Sequence, residues 1–233
     1  MSMISICIPT YEMYGKGVQY LNELLDSIEM QTFKDYEIIV SDHSKNDDIE
    51  IACRNRAKYF RFEQKYGNSS ANLNNAINQA QGDIIKPMFQ DDKFENKGTL
   101  EWIDCAFKWF RGWCIINSRN FGKSNKLFLP TSYKSLYELS EGDNSYGSPS
   151  AMAFTNCKLR FNEKLIWLMD CEFYTRLILK FGFPRYISDS VLIREHPDRL
   201  THKIGGGTVL VEREICNNLY KHLKKKRQNL ELN

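Results

Sequence analysis

The sequence predicts an α/β fold, in which a Rossmann-like, mostly parallel sheet with helices on both faces is followed by a smaller irregular region. Three observations support this prediction. Short apolar runs alternate with amphipathic helical patterns through the first 95 residues. The runs are nearly continuous, as in strands that are buried on both faces. Polar side chains follow three of these runs, where open α/β sheets bind their ligands.

Four strands are predicted in the first half of the chain. Residues 4–9 (ISICIP) and 36–41 (YEIIVS) are short runs rich in β-branched and apolar side chains. Residues 59–64 (YFRFEQ) form a third run, and residues 83–89 a fourth that leads directly into two aspartates. The alternation of these strands with helices is what predicts parallel pairing.

Three helices separate these strands, because apolar residues recur there at helical spacing. Their predicted inward faces are Val18, Leu21, Leu24, Leu25 and Ile28, then Ile49, Ile51, Ala52 and Ala57, and then Ala71, Leu73, Ala76, Ile77 and Ala80. Asn68 or Ser69 is the predicted N-cap of the third helix, and Gly82 its end.

The second half of the chain is less regular. The predicted elements are a helix at 99–110, a strand at 113–118, a helix at 167–180, a strand at 186–194 and an amphipathic helix at 209–223. Residues 120–144 are rich in Gly, Ser, Asn and Lys, which predicts a loop or lid.

Composition excludes several classes of protein. At 233 residues and 42% hydrophobic, the chain is long enough for one sizeable core, and its net charge of +3 is too small to predict nucleic acid as the partner. The seven cysteines show no Cys-x-x-Cys spacing, which predicts reduced thiols and a cytoplasmic protein. No basic leader and no apolar run of about 20 residues is present, so neither secretion nor a membrane span is predicted.

Polar clusters at three strand ends predict a ligand site. They are Pro9 to Glu12, Asp42 to Ser44, and the pair Asp91 and Asp92. A diphosphate leaving group needs its charge neutralised by a hard cation, which adjacent carboxylates hold through oxygen. The three clusters together predict a ligand site at this edge of the sheet, with the acidic pair suited to a cation that neutralises a diphosphate.

The segments ISICIPTYE, YEIIVSDHSKND, GNSSANLNNAINQAQGDII and FQDD, in this order, resemble glycosyltransferase family 2, whose members have the GT-A fold. The resemblance covers about the first half of the chain and resumes weakly at residues 161–176 and 194–201. It implies an inverting, metal-dependent, hexosyltransferase-type enzyme. Such an enzyme moves a sugar from a nucleotide-diphospho-sugar to a hydroxyl of a saccharide or lipid-linked saccharide. Analogy with short single-domain members points to bacterial polysaccharide biosynthesis, of O-antigen, capsule or lipopolysaccharide.

The resemblance also implies which residues bind the donor, for which a UDP-sugar is favoured. The implied donor-binding residues are Pro9, Thr10, Tyr11, Glu12, Asp42, Asn74, Asp91, Arg194 and Arg199. The first four would form the nucleoside wall, and Asp42 would accept a hydrogen bond from the base. An aromatic face with an edge-on polar partner is also what a base requires on chemical grounds.

The metal site is expected at the altered acidic motif of the family, which here is Gln90-Asp91-Asp92. Asp92 is the expected ligand of Mn²⁺ or Mg²⁺, and Asp91 would contact the ribose or a metal-bound water. His196 would complete the metal site or hydrogen-bond the leaving phosphate. It lies in a basic segment before three glycines, residues 205–207, that resembles a hinged lid.

The general base is expected in the segment FNEKLIWLMDCEFYTRL, which resembles the acidic pair of the family. Asp170 is the candidate for taking the proton from the acceptor hydroxyl, and Glu172 is held in reserve. A helix N-terminus favours the charged form of Asp170 while burial opposes it, so the sequence leaves its basicity open.

The predicted organisation is a single GT-A domain, residues 1–233. Residues 1–95 form the nucleotide-sugar half, residues 96–205 the acceptor side, and residues 206–233 an amphipathic helix with a basic tail. The tail has two interpretations, contact with anionic lipid at the inner face of the membrane or a solvated end.

Two other functions stay open. A sugar-nucleotide nucleotidyltransferase would need a Gly-rich, basic phosphate loop after the first strand, and YEMYGKG is a poor match. A non-catalytic binding subunit would keep the fold without metal-dependent nucleotide binding.

Overall fold

The computed structural model describes residues 2–130, 136–196 and 205–231. The strands are β1 (Ile4–Thr10), β2 (Tyr36–Asp42), β3 (Lys58–Arg61), β4 (Ile84–Pro87), β5 (Lys93–Phe94), β6 (Trp113–Phe121), β7 (Leu127–Phe128), β8 (Met152–Thr155) and β9 (Arg185–Arg194). The helices are α1 (Gly17–Glu29), α2 (Asp48–Cys53), α3 (Ser69–Asn78), α4 (Thr99–Phe107), α5 (Leu136–Ser140), α6 (Met169–Phe181) and α7 (Gly206–Glu231). Short 3-10 turns occupy Met13–Gly15 and Pro149–Ala151.

The first four strands form one parallel part of the sheet. β1 pairs in parallel with both β2 and β4, and β2 pairs in parallel with β3. The register places Pro9 beside Ser41 and Thr10 beside Asp42. The polar clusters after β1 and β2 therefore lie side by side, as the sequence predicts, and the α/β fold class is confirmed.

Strand β8 joins the second half of the chain to this sheet. It pairs antiparallel with β4 on one side and with β6 on the other. β9 then runs parallel to β6, and the sheet order is β3-β2-β1-β4-β8-β6-β9-β5, with β7 paired to β6. Most of the paired residues lie in parallel ladders, and the antiparallel pairs are short.

Helix packing follows the predicted apolar faces. On α1, Leu21, Leu24, Leu25 and Ile28 are fully buried. On α3, Asn68 is the N-cap, and its Oδ1 accepts the N–H of Ala71 at 2.8 Å. This cap starts α3 beside the ends of β1 and β2, against which the helix packs. The N-terminus of α3 thereby reaches the predicted ligand edge.

Several predicted boundaries were wrong. Helix α3 ends at Asn78, earlier than the predicted end at Gly82. Helix α2 ends at Cys53, so Ala57 lies outside it, and Ile51 is exposed. Elements β5, β7, β8 and α5 were not predicted, because two to five residues carry too little periodicity to be recognised.

Two further predictions concern the second half. The 120–144 segment contains β7 and α5, and residues 131–135 lie outside the described part. The predicted lid falls mainly on residues 197–204, which are also outside it, while Gly206 and Gly207 begin α7. Among the residues that are described, no helix is both long and apolar enough to cross a bilayer.

Candidate active site

A cavity of about 740 Å³ opens beyond the ends of β1, β2 and β4. Its volume is typical of a site for a cofactor-sized ligand. Its lining residues are Pro9, Tyr11, Glu12, Met13, Tyr14, His43, Tyr66, Gly67, Ser69, Asn72, Phe89, Gln90, Asp91, Pro149, Ile166, Trp167, Met169, Asp170 and His196. The cavity thus brings together side chains from both halves of the chain.

The loop after β1 is held in place by Gln90. Its Oε1 accepts the N–H of Tyr11 at 3.0 Å, and its Nε2 donates to the carbonyl of Gly17 at 2.8 Å. A Cβ at Gly17 would lie only 2.5 Å from the carbonyl oxygen of Tyr11, so only glycine fits where the loop meets α1. Gln90, which stands where the family motif has an acidic residue, therefore fixes the loop that contains Tyr11.

Aromatic rings cluster on the β2 side of the cavity. The ring of His43 stacks on Phe62 at 5.1 Å and lies 5.8 Å from the ring of Tyr66. Nε2 of His43 donates to the carbonyl of Gln64 at 3.1 Å. Burial lowers the pKa of His43, against the opposing effects of this hydrogen bond and of Asp42, so the ring is neutral at pH 7. The cluster offers an uncharged, apolar surface.

Glu12 is oriented by two contacts at the same part of the cavity. Its Oε1 accepts the N–H of Lys45 at 2.5 Å, and its Oε2 accepts the hydroxyl of Tyr66 at 3.4 Å. Burial acts to raise the pKa of Glu12, but these hydrogen bonds outweigh it and the pKa is lowered. The side chain is therefore a carboxylate at neutral pH.

Asn72 on α3 lines the cavity with a buried side chain. Its Nδ2 donates to the carbonyl of Thr10 at 3.0 Å, which fixes the orientation of the amide. Its Oδ1 is buried and has no hydrogen-bond partner among the described residues. A buried acceptor without a partner is costly, so this oxygen suits an N–H or O–H of a ligand.

Thr10 and Asp42 were predicted to contact the donor, but the structure places both behind the cavity wall. The Thr10 hydroxyl donates to Oδ1 of Asp42 at 3.0 Å. The same oxygen accepts the N–H and hydroxyl of Ser44, and Oδ2 accepts the hydroxyl of Tyr59 at 2.9 Å. Four protein donors on a fully buried carboxylate join β1, β2 and β3. These two residues support the wall rather than form it.

Asn74 also differs from its prediction. Its Nδ2 donates to the carbonyl of Phe161 at 2.9 Å, and its Oδ1 accepts the N–H of the same residue at 2.8 Å. Both ends of the amide are used in pinning α3 to the segment before α6. Asn72, two positions earlier, is the α3 amide that reaches the cavity, because the two positions lie on different faces of the helix.

The acidic pair is divided between the cavity and the interior. Oδ2 of Asp91 lies 3.2 Å from Nε2 of His196, and both residues line the cavity. Asp92 is only 3% exposed, and its Oδ1 accepts the backbone N–H of Arg194 at 3.2 Å. Asp91 is therefore the member of the pair that lines the cavity, and Asp92 ties its strand end to β9. Asp92 as the metal ligand stays a prediction, and Asp91 is the alternative that the geometry favours.

Arg194 was predicted to bind the donor, but its guanidinium is used within the protein. It donates to Oε2 of Glu23 at 2.6 Å and to the carbonyl of Asp91 at 3.1 Å, and it stacks on Tyr20 and Phe121. It holds the end of β9 against α1. Arg199, the other predicted arginine, lies outside the described residues.

The Asp91 and His196 pair fits a divalent cation. Among the described residues no group of three metal-ligating side chains is present. One carboxylate and one imidazole are nevertheless enough when phosphate and water supply the other ligands, which is how Mg²⁺ and Mn²⁺ are commonly held beside a nucleotide. The donor set therefore agrees with the expected ion.

Asp170 lies in the first turn of α6 and faces the cavity. Its Oδ2 accepts Nδ2 of Asn144 at 2.7 Å, and its Oδ1 accepts the N–H of Cys171 at 2.7 Å. Burial raises the pKa of Asp170 to about 6, although these hydrogen bonds act to lower it. A carboxylate with this pKa is a suitable general base near neutral pH.

Glu172, the reserve candidate for the base, faces away from the cavity. Both of its oxygens pair with the guanidinium of Arg176, at 2.6 and 2.7 Å. The two residues are four apart on α6, where side chains share a face, and the carboxylate is buried. The structure therefore leaves Asp170 as the carboxylate of this helix that can meet a substrate.

Of the predicted residues, the cavity brings together Pro9, Tyr11, Glu12, Asp91, Asp170 and His196. Four lining residues with a clear chemical role were not predicted: His43, Tyr66, Asn72 and Gln90. His43 lies within the predicted cluster Asp42 to Ser44, Asn72 is two positions from the predicted Asn74, and Gln90 belongs to the predicted motif. Of these four, only Tyr66 could not be predicted from a motif. Its one indication in the sequence is that it lies two residues before Asn68, a predicted N-cap of α3.

Comparison with known proteins adds two findings on sequence. Residues 5–101 match the family model described as Glycosyl transferase family 2. The GalNAc(5)-diNAcBac-PP-undecaprenol beta-1,3-glucosyltransferase of Campylobacter jejuni is 33% identical over 99 residues. That match covers 40% of this chain and 31% of the relative. The chain thus spans about a third of the length of this curated relative.

The fold is shared with solved structures. Staphylococcus aureus TarS residues 1–349 in complex with UDP aligns with a TM-score of 0.65 at 22% identity, over 84% of this chain and 61% of that one. The mannosyltransferase PcManGT of Pyrobaculum calidifontis, in complex with GDP-Man and Mn²⁺, aligns with a TM-score of 0.57 at 15% identity, over 87% and 59%. At such identities the likeness establishes the fold, which is the predicted GT-A fold.

Proposed function

We propose, from the match of residues 5–101 to the glycosyl transferase family 2 model, that this chain is an inverting hexosyltransferase. It would move a sugar from a nucleoside-diphosphate sugar to a hydroxyl of a saccharide or lipid-linked saccharide. The observation that carries this proposal is a single cavity that combines an aromatic surface, the Asp91 and His196 pair and the raised-pKa carboxylate of Asp170.

The nucleoside of the donor would bind on the β1 and β2 side. Tyr11 and Tyr66 offer ring surface, and Oδ1 of Asn72 offers a buried acceptor for an N–H or O–H of the nucleoside. UDP in the TarS complex supports a uridine nucleotide, although the same chemistry accepts any base with a ring N–H.

The diphosphate would bind beside Asp91 and His196. A divalent cation, Mn²⁺ or Mg²⁺, would neutralise the charge of the departing nucleoside diphosphate there. The Mn²⁺ of PcManGT supports this assignment. Asp91 would supply an oxygen ligand and His196 a nitrogen ligand, while Asp92 accepts the N–H of Arg194 behind them.

Asp170 would act as general base. Its carboxylate takes the proton of the acceptor hydroxyl while that oxygen attacks the anomeric carbon, and the bond from this carbon to the diphosphate oxygen breaks on the opposite side. A single displacement of this kind inverts the anomeric centre. Asn144 and the N–H of Cys171 orient the two oxygens and leave each with lone-pair capacity for the proton.

The acceptor would bind against Ile166, Trp167, Met169 and Pro149, which form an apolar wall beside Asp170. We place the enzyme in the cytoplasm, working in bacterial polysaccharide or lipid-linked glycan assembly. The undecaprenol-linked substrate named for the Campylobacter jejuni relative supports a lipid-linked acceptor. Contact of the basic C-terminal end with anionic lipid would then bring the enzyme to its acceptor.

A donor panel tests the proposal. The protein is incubated with UDP-, GDP- and dTDP-sugars, with and without Mn²⁺, while thermal stability and slow donor hydrolysis are followed. One donor is expected to raise the melting temperature in a metal-dependent way, since a ligand at about 100 times its Kd stabilises by about 2.7 kcal/mol. If no donor or nucleoside diphosphate stabilises the protein, the proposal is refuted. Binding without hydrolysis or transfer would instead indicate a non-catalytic subunit. A nucleotidyltransferase would consume added pyrophosphate and release a nucleoside triphosphate and a sugar 1-phosphate from the donor.

A further inference from the structure

Helix α7 carries a buried carboxylate beneath the acceptor side of the cavity. Glu212 is only 2% exposed. Its Oε1 accepts the N–H of Ile166 at 2.8 Å, and its Oε2 accepts the N–H groups of Trp167 and Leu168 at 2.9 and 2.8 Å. Hydrogen bonds to a charged acceptor are among the strongest in proteins, so these three fix one turn of backbone.

The turn that Glu212 holds leads directly into the proposed base. Ile166 and Trp167 line the cavity, Leu168 is the N-cap residue of α6, and Asp170 follows in the first turn. Leu168 has no side chain that can cap the helix, and no side-chain cap bond is formed there. Glu212, from a distant part of the chain, therefore accepts the N–H of the N-cap residue and those of the two residues before it.

Helix α7 is itself held against α5 close to Glu212. Oδ1 of Asn217 accepts the hydroxyl of Ser140 at 2.7 Å, and its Nδ2 donates to Oε1 of Glu141 at 2.6 Å. Cys216 beside it is buried against the core. These contacts tie α7 to α5 and set the position from which Glu212 reaches the turn.

We infer that Glu212 is a positioning residue of the acceptor side, which sets the Ile166 to Leu168 turn and through it the place of Asp170. The inference rests on the proposed function, because it takes Asp170 as the base. The donor side is built from other elements, namely the loop after β1, the start of α3 and the segment after β4. Loss of Glu212 should therefore impair transfer without impairing donor binding.

The variant Glu212→Gln keeps the size of the side chain but offers one acceptor oxygen in place of two. Its amide nitrogen would point hydrogens at backbone N–H groups, so the turn must shift. A misplacement of about 1 Å can cost about 100-fold in rate. We expect kcat/KM for transfer to the acceptor to fall about 10-fold to 100-fold. UDP affinity and its Mn²⁺ dependence should stay within about twofold of wild type, and the ratio of donor hydrolysis to transfer should rise.

Glu214→Gln is the matched control, since Glu214 lies on the same helix and is exposed. Asn217→Ala is a second variant, which weakens the contact of α7 with α5 without changing the turn. It should lower kcat/KM for transfer less than Glu212→Gln does and should leave UDP affinity unchanged. It replaces Glu212→Gln as the test if the latter does not fold.

The inference is overturned if Glu212→Gln transfers as well as Glu214→Gln, or if UDP affinity falls in parallel with transfer, which would indicate a general loss of structure. It is also overturned if folded Asn217→Ala transfers as well as wild type, or loses UDP affinity in parallel with transfer. A wild-type protein that binds no donor refutes the proposed function itself, and this result is distinct from an active wild type with an unaffected Glu212→Gln variant.

Discussion

At Asp170 two opposing effects decide the chemistry. Burial disfavours the charged carboxylate, while hydrogen bonds from Asn144 and from the N–H of Cys171 favour it. Burial prevails and raises the pKa to about 6. The group is then a stronger base than an exposed aspartate and is still deprotonated at neutral pH.

The pH dependence of transfer follows from this pKa. Asp170 is protonated below pH 6 and cannot accept the proton of the acceptor, so kcat should rise with pH through about 6 and level off above about 7. The measurement is kcat for transfer between pH 4.5 and 8 at saturating donor, metal and acceptor.

The matched pair for this profile is Asp170→Asn and Glu172→Gln. Asp170→Asn should lower kcat by about 100-fold or more and abolish the rise of kcat with pH. Glu172→Gln should keep this rise, because Glu172 is paired with Arg176 away from the cavity. A wild-type midpoint near 3.8, the ordinary value for aspartate, would contradict the buried environment of Asp170.

The two neighbouring aspartates should behave differently. Asp91→Ala removes the carboxylate that lies beside His196, so the increase in UDP affinity on adding Mn²⁺ should be lost. Asp92→Asn keeps an acceptor for the N–H of Arg194 and should retain most of that increase. Titration calorimetry of UDP with and without Mn²⁺ measures both. Loss of the Mn²⁺ effect in Asp92→Asn with its retention in Asp91→Ala would restore the assignment that the sequence favours.

On the scale of elements, the end of β9 is joined to α1 by one side chain. Arg194 pairs with Glu23 on α1, donates to the carbonyl of Asp91, and lies 4.1 Å from the ring centre of Tyr20. Its side chain is 14% exposed, so these interactions are little screened by water. These contacts of Arg194 also place His196, two residues later, beside Asp91.

Arg194→Met should therefore destabilise the fold. Removing the guanidinium leaves the Asp91 carbonyl without this donor and Glu23 with the weaker donors Lys93 and Gln19, which costs about 2 kcal/mol. In a chain of this size the melting temperature should fall by about 4–8 °C. Arg54→Met, at an exposed arginine, is the control and should change it by less than about 2 °C. Equal changes of melting temperature in the two variants would show that the contacts of Arg194 do not stabilise the fold.

For the whole molecule, the sheet is continuous from β3 to β5. β8, which comes from the second half of the chain, pairs with β4 of the first half. A fragment that ends near residue 95 would leave the β4 edge unpaired and expose Ile84 and Ile85, which are buried. We therefore propose that the two halves fold as one unit, in agreement with a single domain.

Scanning calorimetry tests this proposal. The full chain should unfold in one transition with equal calorimetric and van't Hoff enthalpies. A fragment of residues 1–95 should show no cooperative transition. Two separate transitions in the full chain, or a folded fragment, would contradict a single cooperative unit.

The sequence by itself determined the local elements and the ligand edge. Periodicity and β-branched runs located β1, β2, α1, α3 and α6, because each is long enough for its pattern to exceed chance. Parallel pairing then required the polar ends of β1 and β2 to meet, and the register confirms it. The short strand β8 escaped prediction, because its four residues have no pattern of their own and pair only when β4 and β6 are in place.

Only the tertiary structure decided which polar side chains face the cavity. Asp91 and Asp92, Asn72 and Asn74, and Asp170 and Glu172 are neighbours in sequence, and each pair divides between the cavity and the interior. For two of these pairs the division depends on a partner that is distant along the chain: Arg194 for Asp92 and Phe161 for Asn74. Glu172 pairs with Arg176, four residues later on the same helix. Residue type shows what a side chain is able to do, and the hydrogen bonds of the folded chain determine which side chains stay available to a ligand.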